Sequence, residues 1–296
     1  MEIAAATVME LREKTGLGMM LCKKALIEAK GDMELAMEIL RKQGHAAVEK
    51  RAGRVAKQGK VTIVADGSCG IVYEVNAETD FVAKNDDFTA LIKAVGQILL
   101  TAKPASLDAA RTLKSPVLGG KSIQERIEEL IAKIGENMTF RRFHLEQVDS
   151  GKERLFTYVH GEGRIGVLVK LASDKPAALA SEAVAQLGKD LSMQIAASNP
   201  RAIDRERMKR DFASAIEKEK EIYFTQAQNS GKPEKVWEKI VEGKLDKFFK
   251  ESTLLEQPYI RDPEKSVTDR IALAEKETGA KLTVVFFTRF ELGAEE

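Results

Sequence analysis

The chain is short of the residues that redox, metal and disulfide chemistry are built from. Cys22 and Cys69 are its two cysteines in 296 residues and form no CxxC pair, and three histidines are too scattered for a His-rich metal site. Reduced thiols in a cytosol are the simplest reading, and neither a metal nor a cofactor is expected. An excess of one charge is missing as well. Lys plus Arg total 47 against 46 for Asp plus Glu, so no global basic field exists to hold a polyanion, and nucleic acid is disfavoured as the main ligand. Long hydrophobic runs are also missing. The opening MEIAAATVMELREK interrupts each apolar stretch with charge, and nothing along the chain approaches a secretory core or a membrane span of about 20 residues. A cytoplasmic protein is the expectation.

What is present is ordinary globular material. Hydrophobic residues make up 44% and charged residues 31%, enough for real cores beneath a soluble surface. The length favours two or three domains.

Three short helices are predicted in the first 45 or so residues. Ala4, Val8 and Leu11 share one face, Leu21, Ala25, Leu26 and Ala29 a second, and Leu35, Ala36, Ile39 and Leu40 a third. Gly16 and Gly18 break the first junction, and Gly31 with Asp32 supplies a stop and then an N-cap. Met19 and Met20 at the glycine turn either fill an irregular gap or form a contact surface. From His45 to Lys60 the cations Lys50, Arg51, Arg54, Lys57 and Lys60 predict an exposed connector, so the first module covers residues 1–50 with a link to about 59.

Beyond the connector the period switches to two. Val61 and Ile63, a turn at Asp66 and Gly67, then Ile71, Tyr73 and Val75 predict a β-hairpin. Helical spacing returns at Phe88 to Leu99 and at Ile123 to Ile134, and a strand follows from about Met138 to Val148. This order then recurs. GIVYEVNAETD from Gly70 is echoed by GVLVKLASD from Gly166, and Phe140 to Leu145 shares the pattern FxRFxL with Phe287 to Leu292. The expected fold is therefore α+β: a three-helix module, then a β-β-α-α-β unit over 60–150 and a second copy over 151–296. The landmarks lie 70 residues apart in the first copy and 121 in the second. The extra length maps to about 201–253 as a helical, coiled-coil-like hairpin that breaks at Asn229 to Pro233. It is either a projecting arm that makes a contact or a pair of solvated helices without one.

No convergent set of nucleophile, base and orienter is visible, so no catalytic residue is predicted. GLGMMLCKK at Gly16 faintly resembles a phosphate-binding loop but lacks the second glycine before the lysine and the Ser or Thr after it, and it follows a helix. His160, in YVHGEGRIG, falls at the tip of the second predicted hairpin and is a better partner contact than base. The segment Glu78 to Asp86 stands out because acids crowd a lone aromatic. In one reading Asp80 or Asp86 caps the next helix and Phe81 folds back as a staple; in the other Phe81 is an exposed anchor. The repeat favours the anchor. Its matching segment, Ser173, Asp174, Lys175 and Pro176, keeps the acid but not the aromatic, and a cap needs only the acid.

ELREKTGLGMMLCKKAL (Glu10 to Leu26), NAETDFVAKNDDF (Asn76 to Phe88), KIGEN (Lys133 to Asn137) and HGEGRIGVLV (His160 to Val169) together resemble the signatures of the bacterial elongation factor Ts family. The resemblance covers essentially the whole chain. It implies a guanine-nucleotide exchange factor for elongation factor Tu in its GDP form, binding no nucleotide itself. It implies a ubiquitin-associated-like N-terminal module, a two-part core and a protruding helical hairpin. The exposed TDFV loop, Thr79, Asp80, Phe81 and Val82, is implied to dislodge the partner's Mg2+, with Phe81 as wedge. Met19, Met20, Lys23, Ile134, Gly135, Asn137 and His160 lie in motifs that contribute further contacts. The stretch 103–121 is longer and looser than in some relatives. A homodimer or a two-plus-two complex with the partner stays open.

Two rival readings come from other classes. One is a small-molecule enzyme using Asp80 and His160 in a cleft between the copies; the other is an RNA-binding protein using Lys50 to Lys60 as a basic stripe.

Overall fold

The computed structural model describes residues 3–149 and 151–295, with every side chain among them except those of His45 and Ala47; the expected domain boundary at Ser150 lies outside the described residues. Three helices come first: α1 (Ala5–Thr15), α2 (Met19–Glu28) and α3 (Met33–Arg51). Gly16, at φ 67°, closes α1 in the left-handed region, and Asp32 caps α3 by accepting from the Leu35 N–H at 2.9 Å. Their shared core is Val8 and Leu11, then Cys22, Ala25, Leu26 and Ala29, then Ala36 and Leu40. Leu21 and Leu35, expected on that stripe, stand 44% and 45% exposed, and Ala4 is exposed too. On α2 the buried set steps i, i+3, i+4, i+7 from Cys22, which turns its neighbour Leu21 about 100° out of the core.

The connector expected from His45 to Lys60 is helix in its first part and strand at its end. α3 continues to Arg51, because Val48 packs on the core that follows and Gly44 sits where a Cβ would lie 3.5 Å from the Ala132 Cβ. The link is thus residues 52–57.

β1 (Gln58–Ala65) and β2 (Cys69–Ala77) form the predicted antiparallel hairpin, followed by α4 (Asp80–Ala83) and α5 (Asp86–Ala102). The stretch 103–121, expected to be loose, is ordered: α6 (Leu107–Thr112), a ribbon of β3 (Lys114–Ser115) and β4 (Lys121–Ser122), and a 3-10 turn between them. Ala110 and Leu118 bury themselves in the core, and the Arg111 guanidinium donates to the Phe140 carbonyl at 2.8 Å. α7 (Ile123–Ile134) and β5 (Met138–Gln147) complete a sheet ordered β1-β2-β5.

The chain then lays down β6 (Glu153–His160), β7 (Ile165–Ser173), α8 (Glu182–Ser198), α9 (Arg205–Asp211), α10 (Ala213–Gln228) and α11 (Trp237–Ser252). A ribbon of β8 (Pro258–Tyr259) and β9 (Asp262–Ser266), α12 (Val267–Thr278) and β10 (Leu282–Glu291) follow. The second sheet is ordered β10-β7-β6.

Residue alternation makes four layers of this. Ile71, Tyr73 and Val75 of β2 face α5 and α7, while Val72 faces the other sheet; Val167, Val169 and Leu171 of β7 face α8 and α12, while Leu168 faces back. Between the sheets lies a small cluster of Val61, Val72, Leu168 and Phe290. Two charges are buried in the same layer, each satisfied. Glu74 accepts from Arg142 Nε at 2.7 Å and the Gly293 N–H at 2.8 Å, and Lys170 reaches Glu146 at 2.6 Å and Glu153 at 3.2 Å.

α10 and α11 pack on each other as an antiparallel hairpin within the expected 201–253. Met208, Phe248 and Phe249 bury its base with Phe212 and Ile216 against them, and Arg205 bridges Asp246 and Glu256 there. No helix among the described residues is long and apolar enough to cross a membrane.

Candidate functional site

After Ala77 the chain leaves β2 and turns at once into α4, a helix of four residues. Thr79 is its N-cap, with the hydroxyl accepting from the Val82 N–H at 3.4 Å. Asn85 caps α5, its Oδ1 accepting from the Asp87 N–H at 2.9 Å. The acids first considered as caps, Asp80 and Asp86, instead occupy first helical turns, where a negative charge suits the helix dipole. The staple expectation for Phe81 also fails: the ring is 82% exposed. The TDFV segment is not exposed throughout, because Val82 is 5% exposed and enters the first core with Ala83. One face of a single turn anchors it, and the opposite face carries the ring.

The turn is braced by the KIGEN segment. Gly135, at φ 90°, ends α7 and reverses the chain so that Glu136 comes beneath Thr79. Glu136 accepts from the Thr79 N–H at 3.0 Å and from its hydroxyl at 2.9 Å. The Asn137 N–H donates to Glu78 at 2.6 Å, and Lys133 pairs with Asp87 at 2.8 Å. The end of α3 joins this bracket: Arg51 Nε donates to the Gly135 carbonyl at 2.8 Å, and the Asn137 amide donates to the Arg54 carbonyl at 2.8 Å. Two of the cations of the proposed RNA stripe are therefore engaged in structure, since Arg54 also faces Glu78 at 3.6 Å. Lys60, a third, lies in β1 opposite Val75.

Of the predicted residues, the fold brings Thr79, Gly135 and Asn137 into one bracket, with Asp80 and Phe81 presented outward. Ile134 is half-buried against the first core. Met19, Met20 and Lys23 are exposed at the start of α2, Met20 at 65%. His160 is exposed at the end of β6, at the hairpin tip, where its Nδ1 lies 3.0 Å from the Tyr158 hydroxyl. The enzyme reading needs Asp80 and His160 in one cleft. Two hollows, of about 540 and 480 Å3, open beside α7 and beside the 52–57 link, and neither is lined by Asp80 or His160. Among the described residues no group of three or more His, Cys, Asp or Glu is placed to hold a metal ion. Glycines 16 and 18 serve as helix ends rather than as a phosphate cradle.

Sequence reasoning missed the bracing roles of Glu136, Arg51 and Arg54 and the capping role of Asn85. The available signal for Glu136 was its place one residue after a helix-ending glycine, but its partner Thr79 lies 57 residues away.

A braced turn that offers a bare aromatic is the build of a protein-docking surface, where such rings carry much of the binding energy. Fold and candidate site together define an α+β protein that carries an exposed aromatic on a braced surface turn. The family model described as elongation factor TS matches residues 78–294. Proteins named elongation factor Ts from Syntrophotalea carbinolica and Clostridium botulinum (strain Alaska E43) are each 46% identical over 293 residues, covering 99% and 98% of this chain and 94% and 93% of their own. The namesake from Rickettsia massiliae is 43% identical over 296 residues, covering 98% of this chain and 92% of its own. The chain belongs to the elongation factor Ts family. It is accordingly a nucleotide-exchange factor of translation and not a small-molecule enzyme.

Proposed function

We propose that this protein binds elongation factor Tu in its GDP form and drives GDP release by pressing Phe81 into the partner beside its nucleotide site, so that Mg2+ is displaced. The observation that carries this is the 82% exposure of Phe81 on a turn whose next two residues are buried. An apolar ring held in water has no stabilising role in the free protein, whereas its burial in a partner is favourable. Mg2+ is the largest local charge on a bound diphosphate, so a wedge that shifts its supports loosens both together. Coupling is reciprocal: GDP binding weakens the factor's own grip by the same factor, which makes the ternary complex transient. Exposed Met19, Met20, Lys23 and His160 supply further contacts, and Ile134, Gly135 and Asn137 act through the turn they brace. The work takes place in the cytoplasm.

The core is read as one unit used twice, and the first module as ubiquitin-associated-like. Reciprocal packing supports the duplication. Val61 and Leu155 hold matching register positions, opposite Glu74 and Lys170, and each enters the gap left by the other sheet's glycine, Gly166 and Gly70.

The test is release of a fluorescent GDP from elongation factor Tu into excess unlabelled GDP. The parent is expected to accelerate release strongly, and Phe81→Ala to lose at least about tenfold of that effect, as for an interface hot spot. No acceleration by the parent removes the exchange reading; equal acceleration by both removes the wedge.

A further inference from the structure

We infer that Glu136 is a positioning residue for nucleotide exchange, holding Thr79 so that the Phe81 ring is aimed before the partner arrives; this rests on the wedge reading of Phe81. A helix of four residues has no stability of its own, since nucleating one turn costs more than its few hydrogen bonds return. Whatever direction α4 points must therefore come from its anchors. Its C-terminal anchor is apolar, Val82 and Ala83 in the first core. Its N-terminal anchor is Glu136, among the described residues the one side chain that accepts from Thr79: one carboxylate accepts both the backbone N–H, at 3.0 Å, and the hydroxyl, at 2.9 Å. Phe81 lies between these anchors and, being 82% exposed, contributes almost nothing to fixing itself.

The carboxylate also decides what the threonine hydroxyl does. With its hydrogen committed to Glu136, the oxygen keeps a lone pair for the Val82 N–H, which closes the cap of α4. Glu136 is itself fixed on both sides. Arg51 holds the carbonyl of Gly135, and the Asn137 N–H and amide are tied to Glu78 and to the Arg54 carbonyl. The acid is thus a rigid post rather than a mobile surface charge.

Loss of the post frees one end of the turn while the apolar end stays anchored. The fold and the remaining docking surface persist, and the ring samples directions that do not open the nucleotide site. Preorganisation of this kind acts on the rate within the complex more than on its formation.

The experiment measures fluorescent GDP release from elongation factor Tu by stopped flow at rising factor concentration, giving a plateau rate and a half-saturating concentration. Thermal midpoints are taken for every variant. Glu136→Ala and Thr79→Val are expected to lower the plateau about tenfold, the weight of one charge-assisted hydrogen bond, with half-saturation changed by no more than about twofold. Thr79→Ser, which keeps N–H, hydroxyl and cap, is expected to match the parent. In the Phe81→Ala background, Glu136→Ala should lower the plateau no further, because a post has nothing left to aim. If Phe81→Ala keeps the parental plateau, the wedge reading fails. If Phe81→Ala collapses the plateau while Thr79→Val and Glu136→Ala keep it, the wedge stands and the role of Glu136 is overturned. A double variant that loses the product of both single effects overturns it equally, and Thr79→Val carries the test should Glu136→Ala lower the thermal midpoint.

Discussion

Phe81 and Val82 are adjacent and have opposite fates, because a helical step of about 100° sends one side chain to water and the next to the core. The same logic separates Leu21 from Cys22. A second residue-scale feature is the turn of the first hairpin. Asp66 accepts from the Ser68 N–H at 2.6 Å, the Ser68 hydroxyl at 2.8 Å and the Cys69 N–H at 2.9 Å. The Ser68 hydroxyl first, then these backbone donors, hold its carboxyl down from 3.8 to about 2. A depressed folded value means the contribution to stability is complete above about pH 4 and is lost as pH falls through about 2. The carboxyl-carbon resonance of Asp66 is expected to titrate near 2. The stability advantage of the parent over Asp66→Asn in urea should shrink across that window; a titration midpoint at or above 3.8 would show that the turn bonds do not persist in solution.

At the scale of elements, the two sheets approach closely because a glycine on each admits a side chain from the other. A Cβ on Gly166 would stand 2.6 Å from Val61 Cγ1 and 3.2 Å from Val72 Cγ2, two branched side chains with little room to retreat. Gly166→Ala is therefore expected to lower the unfolding free energy by about 1–3 kcal/mol, an overpacking cost. Adding Val61→Ala should return part of that loss, giving a non-additive pair in urea denaturation. Two additive losses would mean that the sheets do not meet as described. The glycine at 70 faces the free end of Leu155, a softer neighbour, and its substitution should cost less.

For the whole molecule, the question is which parts depend on one another. The helical hairpin leaves and re-enters the second half at one place: Ala202 bridges Thr253, and the Arg201 N–H donates to the Ser252 carbonyl at 2.8 Å. In its outer part α10 packs on α11, with Trp237 meeting Phe224 edge-on, while Met208, Phe248 and Phe249 stay at the base. Replacing residues 224–242 by a short glycine-serine loop is expected to move the thermal midpoint of the core by no more than about 4 °C. A large drop would show that the outer hairpin supports the core. The bracket of Arg51, Gly135, Glu136 and Thr79 has the opposite character, since it ties the three-helix module, α7 and α4 together over long separations.

Local patterns sufficed for much of this. The period-two run at Val61 to Val75, the helical spacing of Phe88 to Leu99 and the echo of Gly70 in Gly166 determined two strand-and-helix orders with extra helical length in the second. Ordered motifs such as TDFV and KIGEN determined the family. These are properties of neighbours along the chain, so the chain states them directly. Only tertiary structure decided that α3 runs on to Arg51, since Gly44 and Val48 find α7 there. It alone decided that Thr79 and Asn85, rather than Asp80 and Asp86, cap the turns, and that Glu136 stands beneath the turn that carries Phe81. A cap depends on where the helix starts, and a carboxylate 57 residues away acquires a partner only once the strands that flank the two residues, β2 and β5, have paired.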